Sequence, residues 1–246
     1  MASVTNELWL VDDIEIPVKI YWERRRDNRV SIAKNAVHLR LPAFNKRLPF
    51  GPSKKWASDW ISQQFRKDPS LKQRFLIKKY ATGQIIKTHF NSYELQIRKS
   101  RRETSKAKWS NHQIVIELNE DLNHRYESKT IHTLIARVIG GHEQPRVADR
   151  IQEINEYCFG NMEITGVRIK NNSSNWGSCS AKGNINISTR TLFAPARVQD
   201  YIFVHELAHR VELNHSPAYW KIVDQIMPDY KKCEKWLKEN VELCEF

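Results

Sequence analysis

The chain lacks long apolar runs, patterned cysteines and visible repeats, and each absence excludes something. No stretch approaches the ~20 apolar residues a helix needs to cross a bilayer, so no membrane segment is expected. Met1 to Pro17 has neither a cationic start nor a long apolar core and carries Asp12, Asp13 and Glu15, which argues against a secretory signal. Cys158, Cys179, Cys233 and Cys244 include no C-x-x-C pair, so they outline neither a metal knuckle nor a disulfide framework. Reduced thiols in a cytoplasm are the simplest account. No low-complexity tract, internal repeat or clean linker is legible. Acidic residues are the scarcer charge, 28 against 40 Lys and Arg, and the net charge of +12 favours polyanionic partners or acidic substrates.

What is present is a folded chain of 246 residues with eight tryptophans, long enough to bury a sizeable core. Ile14 to Trp22 and Arg29 to Leu41 read as a hairpin, because Val30/Ile32 and Val37/Leu39/Leu41 alternate. Ser53 to Lys67 reads as a helix with Trp56 and Trp60 on its core side. Gln84 to Arg98 and Gln113 to Leu118 are strand-like. From Glu127 the pattern turns helical, with Ile131, Leu134, Ile135 and Val138 on one face, until Gly140-Gly141 interrupts it; Pro145 to Tyr157 is a further helical stretch. The expected organisation is a β-rich region with one helix over 1–122 and a second region over 123–246, in one continuous compact unit. The weakest boundary lies near 119–128.

The most informative run is His205-Glu206-Leu207-Ala208-His209, followed by His215. Pro195 suits a first helical turn, and Val198, Ile202, Phe203, Val204, Leu207, Ala208 and Val211 recur at helical spacing. In a helix, residues four apart share a face, so His205 and His209 can both aim a ring nitrogen at one zinc ion. Glu206 points elsewhere and can reach a water on that ion, the place of a general base. Asn214 suits the left-handed residue ending a helix, and Ser216-Pro217 reads as an N-cap and first turn of the next. His215 therefore occupies an elbow from which its ring can return to the metal face. Asp224, Asp229 and Glu234 compete with it as third ligand. Three protein ligands with one position open describe a catalytic rather than structural site.

Two basic runs stand apart. Arg98, Lys99, Arg101, Arg102, Lys106 and Lys108 are opposed in sequence only by Glu103 and read as a basic hairpin tip flanked by Tyr93 and Trp109; Arg24-Arg25-Arg26 reads as another basic turn. A nucleic-acid or nucleotide contact through this basic surface is one reading, and a solvated loop the other. Asn184, Asn186 and Ser188 alternate with Ile185 and Ile187 in a half-buried strand after the glycine-bearing turn Trp176-Gly177-Ser178-Cys179-Ser180. The free edge of that strand could hold an extended peptide. Asn175, Trp176, Asn186 and Tyr219 are the candidate substrate contacts, Asn175 and Tyr219 also being candidate oxyanion donors.

The ordered set Asn175-Trp176-Gly177-Ser178-Cys179-Ser180, Gly183-Asn184-Ile185-Asn186, Phe193-Ala194-Pro195, His205-Glu206-Leu207-Ala208-His209, Asn214-His215-Ser216 and Tyr219-Trp220 resembles the YgjP-like metallopeptidase family, relatives of the SprT-like and WLM peptidases. The close likeness covers roughly 164 to 240. It implies an α+β, zincin-like domain with an active-site helix under a small sheet, zinc on His205, His209 and His215, Glu206 as catalytic base, and a peptide or protein substrate. The family usually has arginine where this chain has Asn175. A zinc-dependent nucleotide phosphohydrolase and a protease of DNA-associated proteins are the alternative expectations.

Overall fold

A computed structural model describes residues 3–33, 36–73, 75–76 and 78–246. Contacts divide it into two compact units, Met1–Lys78 and Lys79–Phe246. That division differs from the boundary expected near 122. The strands between 85 and 119 belong with the C-terminal helices, because Ile86, Tyr93, Leu95, Ile114, Ile116 and Leu118 share a core with Ile131, Leu134, Ile135 and Ile139.

The first unit is a four-stranded sheet with one face on a helix. Strands β1 (Ser3–Val11) and β2 (Ile14–Glu23) form a hairpin closed by Asp12-Asp13, both at positive φ (49° and 63°), the backbone twist a two-residue turn requires. Strands β3 (Arg29–Ile32) and β4 (Val37–Pro42) form a second hairpin, and β4 runs parallel to β2 in the order β1-β2-β4-β3. Ile14–Trp22 is thus one arm of the first hairpin and Arg29–Leu41 is the whole of the second, so the two are not the arms of one. Alternation puts Ile14, Ile16, Val18 and Ile20 inward, where they meet Ala57, Ile61 and Phe65 of α1 (Gly51–Lys67). Trp60 packs against that core and Trp56 is exposed. A short α2 (Pro69–Gln73) comes next.

The second unit opens with the same sheet again. Strands β5 (Ile85–Lys87), β6 (Ser92–Ser100), β7 (Lys106–Ser110) and β8 (Gln113–Asn119) adopt the order β5-β6-β8-β7, with β6 parallel to β8 and both outer pairs antiparallel. The registers coincide at a constant offset of 77 positions. Leu8 opposite Pro17, Val18 opposite Val37 and Arg29 opposite Arg40 become Ile85 opposite Glu94, Leu95 opposite Ile114 and Lys106 opposite Glu117. A structural repeat is therefore present where the sequence shows none. It also corrects the basic hairpin tip, since β6 and β7 do not pair and β8 lies between them.

Helix α3 (His124–Phe159) runs unbroken for 36 residues through Gly140, Gly141 and Pro145. Pro145 lies inside the helix and forgoes the bond to the carbonyl of residue 141. Gly140 has a separate reason: a Cβ would lie 3.1 Å from Ile169 Cγ2, so its absence lets the next sheet approach the helix. That sheet is β10-β11-β9, built from β9 (Gly166–Lys170), β10 (Gly177–Cys179) and β11 (Asn184–Ser188). Residues 177–179 are strand rather than turn. Consequently β11 has both edges paired, and the free edges belong to β10 and β9.

Helices α4 (Ala196–Ala208), α5 (Pro217–Ile226) and α6 (Tyr230–Glu239) complete the unit. A buried network sets α4 against α3. The Glu143 carboxylate accepts from Thr88, Asn91, Tyr93 and Arg146, and Arg146 donates on to Gln199 at 3.2 Å. Burial pushes the Glu143 pKa up, but the bonds from Asn91, Arg146 and Tyr93 outweigh it, and the net direction is down. The chain is α+β, and among the described residues no helix is long and apolar enough to cross a membrane.

Candidate metal centre

Helix α4 carries His205 and Glu206 in its last turn, and His209 is its C-cap residue. The chain then reverses within seven residues. Asn214 is not at positive φ; the helix has already stopped at Ala208, and 3₁₀-like bonds from Arg210 and Val211 to Leu207 and Ala208 unwind it. Ser216 caps α5 as its sequence suggests, accepting from the Tyr219 backbone N–H at 3.3 Å, with Pro217 in the first turn. Tyr219, fully buried, donates its hydroxyl to the His205 carbonyl at 2.9 Å and so pins α5 onto the end of α4.

That elbow brings the third imidazole home. His205 Nε2 and His215 Nε2 are 3.1 Å apart, and one nitrogen from each of His205, His209 and His215 falls within 4.8 Å of the others. Nitrogens bound to one tetrahedral zinc at 2.0–2.1 Å would sit about 3.3 Å apart, so the donor set fits such an ion. The second nitrogen of His209 is occupied: Nδ1 donates to the Glu212 carbonyl at 3.2 Å, which leaves Nε2 as a bare ligand atom. Burial, then His209 and His215, lowers the His205 pKa to about 3; burial also lowers that of His209. Both stay neutral, the state a ligand needs. Asp224 is exposed, Asp229 pairs with Arg197, and Glu234 accepts from Tyr201 at 3.3 Å, so none of these carboxylates joins the imidazole cluster.

Glu206 is 4% exposed, and burial raises its pKa to about 8. Its immediate neighbour is the backbone of β10. A Cβ on Gly177 would lie 2.5 Å from Glu206 Oε1 and 2.8 Å from Cδ, so only glycine lets the edge strand pass this carboxylate. Read along the sequence as part of a turn, Gly177 gives no signal of this contact, although a glycine within a strand often marks a close approach. Glu206 and His205 open into a cavity of about 380 Å³ whose other walls include Trp176, Tyr201, Ile202, Glu234 and Leu237. The role of Tyr201, Ile202 and Leu237 has no signal in the sequence, where Ile202 is one apolar residue at helical spacing among several.

The candidate substrate contacts separate in the fold. Asn175 and Trp176 line the cavity, Trp176 with the Arg190 guanidinium 4.3 Å over its ring. Asn186 lies on β11, donating to Ser178 at 3.3 Å, away from the cavity wall. The Tyr219 hydroxyl is engaged by the helix backbone, which makes Tyr219 a brace; its ring lies 4.7 Å from His209 and 4.8 Å from His215. Trp220 stacks on His215 at 5.7 Å. The basic residues near 100 are far from unopposed. Glu117 receives Arg98, Arg102 and Lys106, while Lys99 pairs with Glu127 and Arg101 with Glu120.

A helix presenting two imidazoles and a carboxylate, with a third imidazole folded back onto them, is the arrangement of a metal-dependent hydrolase. The chain belongs to the YgjP-like family: the family model of the YgjP-like, metallopeptidase domain matches residues 26–240. It is accordingly a metallopeptidase, a hydrolase with a metal cofactor. Among solved structures it is similar to the metallopeptidase zymogen of Pyrococcus abyssi abylysin, at 25% identity and a TM-score of 0.36, over 39% of this chain and 95% of that one. No curated protein matches it.

Proposed function

We propose that the chain hydrolyses peptide bonds with one zinc ion held by His205, His209 and His215, and with Glu206 as general base. The observation that carries the reading is the convergence of three imidazole nitrogens, one of them from His205, which lines a cavity together with the buried Glu206 carboxylate. When bound, zinc polarises the scissile carbonyl and lowers the pKa of water towards about 7. A cation beside Glu206 favours its ionised form, reversing the effect of burial. The Glu206 carboxylate takes a proton from water as the hydroxide adds to the carbonyl carbon, and delivers that proton to the amine nitrogen when the tetrahedral adduct collapses and the C–N bond breaks. The free edge of β10, next to Glu206, supports an extended peptide paired as an added strand. Asn175, on the cavity wall, is the remaining one of the two candidate oxyanion donors, Tyr219 being engaged by the helix backbone. A cytoplasmic setting stays part of this proposal, resting on the unpatterned cysteines.

A nucleotide phosphohydrolase would need cations around the cavity. Among the described lining residues Lys238 is the one cation, and the arginines near 100 are spent on carboxylates. The test is a panel of unstructured peptides and nucleoside triphosphates offered to zinc-loaded protein. Cleavage of peptides that stops with a chelator and returns with zinc supports the reading. Triphosphate turnover without peptide cleavage refutes it.

A further inference from the structure

The two four-stranded sheets share one register but not one charge pattern. On the side of the first sheet facing away from α1, one row across the strands is Tyr21, Arg40, Arg29 and the next is Lys19, His38, Ser31. The matching rows of the second sheet are Arg98, Glu117, Lys106 and Gln96, Val115, Lys108. There Glu117 on the central strand holds Arg98 at 2.6 Å and Arg102 and Lys106 at 3.2 Å, so the cations are neutralised within the sheet. In the first sheet Arg40 stands where Glu117 does, and Arg26 where Glu103 does. The positive charge is left for something else to meet.

The remaining groups on this face sharpen the chemistry. Glu23 is the carboxylate in range, 3.4 Å from Arg40 and 3.7 Å from Arg25; Lys19 and Arg29 make no ion pair among the described residues. Lys19, Arg24, Arg26 and Arg29 are exposed, and Tyr21, His38 and Arg40 half-buried. Burial and then the charges of Arg40 and Lys19 lower the His38 pKa, a sign of positive potential over the face. The Arg40 guanidinium lies 5.1 Å from the Tyr21 ring centroid, and the His38 ring meets Tyr21 edge-on at 5.5 Å. Three planar groups therefore sit among cations on two adjacent strands, about 4.8 Å apart. Residues 1–78 hold sixteen Lys and Arg against eight Asp and Glu, two-thirds of the net charge in a third of the chain.

We propose that this face of the first unit, centred on Lys19, Tyr21, Arg29, His38 and Arg40, binds single-stranded nucleic acid, its cations on phosphates and its planar groups against bases. An acidic peptide or an anionic membrane would use the charges and leave the planar cluster idle. The inference does not depend on the metal site.

The test is fluorescence anisotropy of a labelled oligothymidylate 20-mer with the full chain over a range of salt. Binding that weakens linearly in log salt is expected. Arg40→Glu, which copies the second sheet, should weaken binding by about tenfold or more and flatten the salt slope by at least about one. Tyr21→Ala should weaken it severalfold with the slope unchanged. Lys19→Glu, at an exposed position, repeats the charge test should Arg40→Glu fold poorly, and Lys108→Glu on the second sheet should change little. Wild-type affinity in both Arg40→Glu and Lys19→Glu overturns the proposal. So does equal competition by polyglutamate at matched charge, or binding to phosphatidylserine vesicles with none to the oligonucleotide.

Discussion

Replacing Gly177 with alanine isolates how closely the edge strand must pass the Glu206 carboxylate, the proposed general base. The new Cβ would sit 2.5 Å from Glu206 Oε1 and 2.8 Å from both Cγ and Cδ, where ordinary contacts begin near 3.4 Å. Relief requires a movement of close to an ångström by the Glu206 carboxylate or by the β10 backbone. Neither is free: Glu206 is buried on a packed helix, and β10 is paired to β11 at Gly177–Ile187. Overpacking of this kind costs about 1–3 kcal/mol, and displacement of a reacting group by an ångström costs on the order of 100-fold in rate. Gly177→Ala should therefore bind zinc at wild-type stoichiometry, lose a few degrees of thermal stability, and lose roughly 100-fold in kcat with a smaller effect on KM. Elemental analysis, a thermal melt and steady-state cleavage of a fluorogenic peptide measure the three quantities. Peptide turnover within threefold of wild type would refute the idea that Glu206 works only where Gly177 leaves room for it.

Glu206→Gln should keep the metal and lose between about 10²- and 10⁴-fold in hydrolysis, because only the proton acceptor is removed; unchanged turnover would exclude it as the base. His215→Ala should release zinc on dialysis, and retained stoichiometry would assign the third ligand to another residue. Glu143→Ala leaves Arg146, Tyr93 and Asn91 facing an unfilled acceptor and should cost about 2–3 kcal/mol in urea unfolding at pH 7. The Glu143 pKa is lowered on folding, so its contribution is present above the unfolded carboxylate value near ~4.3 and is lost as pH falls through the folded value. The wild-type advantage over the variant should shrink from pH 5 downward, and a gap independent of pH would contradict the assignment.

Local rules make part of this protein readable along the chain alone. The pairing of His205 with His209 depends on helical spacing, and the start of α5 depends on Ser216 and Pro217; both are set by residues within a turn of one another. Family membership likewise rests on motifs in order along the chain. What escaped was non-local. The repeated sheet is hidden because inward positions need only be apolar, so Val18 and Leu95, or Val37 and Ile114, do the same work without being alike. Gly140 looks like a break in a helix until Ile169 is found against it, and α3 runs on through Pro145 as well. Gly177 carries no mark of its meeting with Glu206, and Arg40 none of the carboxylate that occupies its place in the second sheet. Spacing along the chain determined which groups could bind a metal; only the packing of distant segments decided what lies beside them and which charges go unanswered.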